Sequence, residues 1–252
     1  MFPLHDENPS VRLPLATIAL IACNGLVWLL LQGLGSSDGL ARSICQYGLI
    51  PGELLQRLPI GSSFALDAQF RCVLDGSGGW FTLLSSMFMH GGWLHLIGNM
   101  WFLWVFGDNI EDAMGHGRFV LFYLLCGFAA ALAQIAIDPA SAVPMVGASG
   151  AIGGVMGAYA RLYPKARIQM LVVLGFYVTT VAVPALFMLG YWLLLQFLGA
   201  LPALGQTGGG VAFWAHIGGF IAGLVLASLL ARPDYLQQHF QQPLRRKARY
   251  RF

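Results

Sequence analysis

Six apolar runs, near residues 14–34, 93–110, 118–137, 147–161, 168–200 and 211–231, leave little of the chain from which a soluble core could be built. A helix crosses the hydrocarbon core of a bilayer with about 20 apolar residues, within a range of about 17–25. Soluble domains carry roughly 25% charged residues, whereas this chain of 252 residues has 10%, with 57% hydrophobic. The expectation is a polytopic membrane protein. Its first run follows a polar, proline-containing N-terminus. That run is too long for a signal-peptide core and lacks an A-x-A-type cleavage site, so it reads as a retained anchor. A net charge of +3 calls for no nucleic-acid partner.

The run 168–200 is too long for one helix and too short for two, and Pro184 would break a helix at its middle. Charge decides the count. Arg161, Lys165 and Arg167 precede this run, and Arg232, Arg245, Arg246, Lys247, Arg249 and Arg251 follow the last one. A single span here puts both basic clusters on one side, as the positive-inside rule requires. The reading is then an all-α polytopic bundle of six transmembrane helices with a long outer first loop, about 35–92. Residues 166–181 would lie along the interface and 182–200 would cross. Residues 1–13 form a cytoplasmic N-terminus, 14–231 the six-helix domain and 232–252 a basic cytoplasmic tail that suits anionic lipid. In the outer loop, "YGLIPGELLQRLP" and "WFTLLSSMFMH" are amphipathic enough to rest on the leaflet.

Polar groups at membrane depth are expensive and functionally suspect. Here they are Ser149, His216, His95, Asn99, Asn24, Gln134 and Gln196. At the helical rise, Ser149 lies about 20 Å from the basic cluster at Arg161, hence about 10 Å below the outer surface, with loop 138–146 plunging to reach it. His216, counted inward from Gly210, lies about 9 Å deep. The depths match.

Ser149, Gly153 and Gly157 recur every fourth residue, and His216, Gly219 and Gly223 share a face likewise. Stripes of small residues let membrane helices approach closely, and alone they would mean packing only. Both stripes, however, carry a serine and a histidine to one depth. His95 and Asn99 stand four apart on one face of the second span, within about a turn of that depth. A lone histidine or asparagine there is ordinarily structural, yet two donors beside a buried Ser–His pair suit a developing oxyanion.

Together "GASGAIGG", "AHIGGFIAG" and "HGGWLHLIGN" closely resemble the rhomboid family of intramembrane serine proteases, with support from "GDNIE" (Gly107, Glu111) and "YGLIP". The resemblance covers about residues 12–231. It implies a Ser–His dyad without an acid, Ser149 as nucleophile and His216 as general base. It also implies an oxyanion hole from His95, Asn99 and the Ser149 N–H, with Gly147, Gly150, Gly153, Gly157, Gly219 and Gly223 supporting the helix packing. No cofactor, metal or ATP is implied. The implied partners are the lipid bilayer and single-span membrane proteins, cut near the outer face at small residues. The implied location is a bacterial plasma membrane with both termini cytoplasmic.

Two departures stand out. Some relatives carry an aromatic four residues after the serine to stack on the base, and here that position is Gly153, so another group must hold the imidazole. Phe81 follows Trp80 where many relatives have arginine. A catalytically silent chaperone or binding scaffold on the same fold is the alternative, although such relatives usually lose the serine or histidine. A transporter lacks its midplane carboxylates here, and His90, His95 and His116 lack zinc-site spacing. Cys45 and Cys72 share the outer loop and are expected to pair, two free thiols being the alternative. Trp192, Phe197 and Leu198 of the fifth span are expected to plug a seam opposite Gly98. The Gly/Ala-rich segment 199–210 is expected to cap the site.

Overall fold

The apolar runs fold as helices where alanine, leucine and glycine dominate them, and as strands where β-branched residues do. The computed structural model describes residues 2–66, 70–76, 78–203 and 212–241. In chain order it contains β1 (Phe2–Asp6), α1 (Leu15–Leu30), α2 (Ser37–Tyr47), α3 (Pro51–Leu54), β2 (Ser63–Ala65), β3 (Arg71–Val73), α4 (Thr82–Ser85) and α5 (Trp93–Met114). Then follow α6 (His116–Ile137), α7 (Ser149–Leu162), β4 (Arg167–Leu174), β5 (Tyr177–Pro184), α8 (Ala185–Ala203), α9 (Phe213–Leu230) and α10 (Pro233–Gln241). Of these, α6 and α9 are long and apolar enough to cross a membrane on length and composition. Shorter apolar helices are α1 and residues 185–201 of α8, while α5 carries Asp108, Glu111 and Asp112 near its end. Helix length by itself thus carries two of the six expected spans.

The centre is α7, whose residues Gly150 to Ala160 are all buried against α5, α6, α8 and α9. Its contact with α9 is backbone on backbone. A Cβ on Gly219 would overlap the Gly150 carbonyl, one on Gly223 the Gly154 carbonyl, and one on Gly157 the Phe220 carbonyl. The two stripes therefore do face each other. On its other flank α7 meets α6, where a Cβ on Gly150 would crowd the Ala130 Cβ.

The all-α expectation holds for the bundle and fails beside it. Residues 166–181, expected to lie along the interface, instead build β4 and most of β5, an antiparallel hairpin from Arg167↔Pro184 to Leu174↔Tyr177. Val172, Val173, Val178, Thr179, Thr180, Val181 and Val183 supply the β-branched side chains that favour strands. Gly175, at φ +60°, supplies the turn. Pro184 ends the ladder, which is the place a proline tolerates. The N-terminal residues complete this sheet in the order β1-β4-β5, with Phe2 opposite Leu171 and Asp6 opposite Ile168. The β1 strand also docks on α5, through Trp101 Nε1 donating to the Pro3 carbonyl at 2.6 Å and the Phe2 ring 5.4 Å from Trp101.

Two acidic residues close the same end of the bundle. Glu111 accepts from the N–H groups of Ala16 and Thr17 and from Thr17 Oγ1, at 2.8, 2.7 and 2.7 Å, satisfying donors that the start of α1 leaves open. Asp112 accepts from the Val11 and Arg12 N–H groups and pairs with the Arg12 guanidinium. His239 of α10 lies between Asp112 and Asn8, at 3.2 and 2.9 Å. At the opposite end a Cys45–Cys72 disulfide, with Cα atoms 5.5 Å apart, ties α2 to β3. Most of the expected cap, from residue 204 onward, and the tail beyond 241 lie outside the described residues. Residues 199–203 continue α8 rather than opening a loop.

Candidate active site

Ser149 opens α7 because the chain before it is held from two sides. Met145 and Leu49 exchange backbone hydrogen bonds at 2.7 and 3.0 Å, and the Gly52 N–H donates to the Ser141 carbonyl at 2.9 Å. The "YGLIP" stretch thus pins the loop that descends to the serine. Gly147, at φ +125°, donates its N–H to the Ser86 carbonyl at 2.9 Å. A Cβ at this position would lie 2.8 Å from His95 Nε2, so conformation and space both require glycine.

Ser149 Oγ and His216 Nε2 are 2.8 Å apart, which brings together the pair expected from matching depth. His216 Nδ1 lies 2.8 Å from Gln196 Oε1, and Gln196 Nε2 donates to the Trp192 carbonyl at 3.1 Å. That second bond orients the amide. Its oxygen only accepts, so Nδ1 carries the imidazole proton and Nε2 is left to accept from the serine hydroxyl. The Trp192 ring stands over His216 at 5.8 Å and 38°, backed by Phe220 at 6.1 Å.

The support missing at Gly153 therefore comes from α8. A Cβ on Gly153 would lie 3.0 Å from the His216 carbonyl and 3.7 Å from the Trp192 ring, so α9 at His216 packs closely against bare backbone with the Trp192 ring beside it. Trp192 was expected to plug a seam in the wall. Together with Gln196, four residues on, it faces α9 instead, and Phe197 and Leu198 are turned outward and exposed. The available signal was this i, i+4 pair, an aromatic and an amide on one face of an apolar helix.

His95 and Asn99 line up one turn apart on α5. The Gly91 N–H donates to His95 Nδ1 at 3.2 Å, which places the ring proton on Nε2, the atom beside Gly147. Asn99 is buried, and its Nδ2 has no partner among the described residues. His90, just before α5, stands edge-on to His95 at 5.2 Å. Gln32 clamps the His90 backbone from both sides, each bond 2.8 Å. Burial first, then the neighbouring His95, pushes the His90 imidazole down to about 3, so it stays uncharged. A cavity of about 40 Å³ adjoins Ser149, lined by Ser86, Gly127, Val146, Gly147 and Ala215 among others. Among the described residues no three His, Cys, Asp or Glu side chains converge as metal ligands would.

A serine hydroxyl at the start of a helix, 2.8 Å from an imidazole nitrogen, is an arrangement suited to nucleophilic chemistry. Comparison with known proteins points the same way. A family model described as the rhomboid domain matches residues 77–233. The rhomboid protease GluP of Bacillus subtilis (strain 168) is 32% identical over 160 residues, covering 64% of this chain and 28% of that protein. RHOMBOID-like protein 4 of Arabidopsis thaliana is 35% identical over 164 residues, covering 65% of this chain and 37% of its own. A putative rhomboid protease of Bacillus subtilis, YdcA, is 34% identical over 83 residues, covering 33% and 41%. In each case the match spans less than half of the relative's length.

Proposed function

This chain belongs to the rhomboid family, hence to integral membrane proteins, and on that premise we propose that it is an intramembrane serine endopeptidase working through Ser149 and His216. The observation that carries the reading is the 2.8 Å contact from Ser149 Oγ to His216 Nε2, with Nδ1 already committed to an acceptor. In the proposed reaction His216 takes the hydroxyl proton as Oγ attacks the scissile carbonyl, then delivers it to the leaving amine. Water hydrolyses the resulting acyl-enzyme by the same base. Donors at His95 Nε2, Asn99 Nδ2 and the Ser149 N–H would receive the oxyanion. The Asn99 Nδ2, without a partner among the described residues, supports this assignment, because an unsatisfied buried donor costs about 1–3 kcal/mol. The small cavity at Ser149 suits a small residue at the cut.

In this reading six segments cross the bilayer, with α7 and α9 setting the site below the outer surface. The basic clusters would lie inside, and the disulfide supports placing the first loop outside, in an oxidising space. A bacterial plasma membrane with both described termini on its cytoplasmic face is our proposal. Substrates would be single-span membrane proteins.

The test is labelling of the purified protein by a serine-reactive fluorophosphonate, read together with release of the ectodomain of a single-span substrate. Labelling at Ser149 and its loss in Ser149→Ala are expected. Retained substrate binding with neither labelling nor cleavage would make the protein a silent scaffold on this fold. Asn99→Ala is expected to slow cleavage on the order of 10²-fold, the scale of one oxyanion donor, with unchanged labelling stoichiometry. An unaltered initial rate would remove Asn99 from the site.

A further inference from the structure

We propose that Gln196 is a positioning residue for the base, its amide oxygen holding His216 in the one tautomer that can accept the serine proton. The proposal rests on the reading of Ser149 and His216 as the catalytic pair. A neutral imidazole has two tautomers, and only that with the proton on Nδ1 presents a lone pair at Nε2. Among the described residues no carboxylate is hydrogen-bonded to His216 Nδ1. What stands there is Gln196 Oε1 at 2.8 Å, on a nearly buried side chain. The amide cannot present its NH₂ instead without giving up the 3.1 Å bond from Nε2 to the Trp192 carbonyl. One turn of α8 thus supplies both constraints on the base, Trp192 fixing the ring plane and Gln196 fixing the proton.

The arrangement also explains why glycine is tolerated at position 153. The imidazole is gripped from α8, not from the serine's own helix, and the Trp192 ring stands 3.7 Å from where a Cβ at position 153 would lie. The rest of α8 turns Leu194, Leu195 and Leu198 outward. A displacement of α8 away from α9 would therefore withdraw both supports at once and leave His216 free to change tautomer.

Three variants test this: Gln196→Met, which keeps the volume and removes the acceptor; Gln196→Glu, which keeps an acceptor; and Ser149→Ala as the blank. Gln196→Met should lower kcat about 10–10²-fold with little change in KM, since the loss falls on proton transfer. It should slow fluorophosphonate labelling by the same factor, because that probe is small and reports on the nucleophile without substrate docking. Gln196→Glu should recover most of the labelling rate. Its carboxylate favours the imidazolium, so the acid limb of kcat/KM should move to higher pH, the neutral base being the active form. Among the described residues His95 is the other titratable group near His216, and it is unchanged in both variants, so the shift is read between them.

A twofold or smaller effect of Gln196→Met on both rates would overturn the proposal. So would slowed cleavage with normal labelling, which would assign Gln196 to substrate access. Absence of labelling in the wild type would instead strike the dyad itself. Nitrogen NMR of labelled histidine decides the tautomer without reference to activity. The His216 proton is expected on Nδ1 in the wild type and redistributed in Gln196→Met, whereas a wild-type proton on Nε2 would overturn the assignment.

Discussion

Ser149→Ala is expected to lower the rate of substrate cleavage by about 10⁴-fold or more while leaving the melting temperature of the purified protein unchanged. Without Oγ no acyl-enzyme forms, and only binding and the oxyanion donors are left, which together sustain a small residual rate. Stability is spared because the hydroxyl's recorded partner is His216, and a methyl group fits where the hydroxymethyl stood. His216→Ala should fall by a comparable factor. The double variant should be hardly slower than either single one, since two members of one unit fail together. The measurement is initial rate on a purified single-span substrate in liposomes, paired with a thermal melt. Substantial turnover by Ser149→Ala would end the dyad assignment.

Gly223→Ala should do the opposite, wrecking the fold before the chemistry. Its Cβ would overlap the Gly154 carbonyl, a backbone atom buried in the central helix that cannot swing aside as a side chain would. Forcing α7 and α9 apart should cost on the order of 3 kcal/mol, the upper part of the range for overpacked cores. Gly219→Ala meets the Gly150 carbonyl in the same way, one residue from Ser149, and should also stretch the serine–histidine contact. Gly190→Ala on α8 is the control, because a Cβ there meets nothing within 4 Å. Alanine's better helix propensity should make that change neutral or stabilising by up to about 1 kcal/mol. Equal melting temperatures for the Gly223 and Gly190 variants would show that the close contact carries little stability.

That Ser149 and His216 would meet was legible because position along a bundle follows from counting residues, and both lie in helices of ordinary rise. Azimuth is different. Which flank of α9 would face α8 depends on the packing of neighbours, so Gln196 could be flagged as an expensive polar group but not paired with His216. Trp192 was misplaced for the same reason, its bulk being evident and its direction not. The sheet was hidden by hydropathy itself. On β4 Ile168, Met170 and Val172 are buried and Leu171 and Val173 alternate with them, so apolar residues sit on both faces and no period of two survives. Its partner β1 is five residues long, contains a proline and stands at the far end of the chain, where nothing local announces a strand.

That sheet also sets an order of assembly. β1 leaves the ribosome long before its partner, for Ile168, across from Asp6, is made only after α7 is complete. At roughly 5–20 residues per second the gap is on the order of ten seconds or more. Until then Phe2 to Asp6 have no strand to join, and α1 lacks the Glu111 carboxylate that closes its first turn until α5 is made. A further tie comes later still, when His239 reaches Asn8 across 231 positions of sequence. Nascent chains of this protein would thus hold inserted helices whose N-terminal strand is still unpaired. Any sequence joined directly ahead of Phe2 has to leave that strand free to find β4.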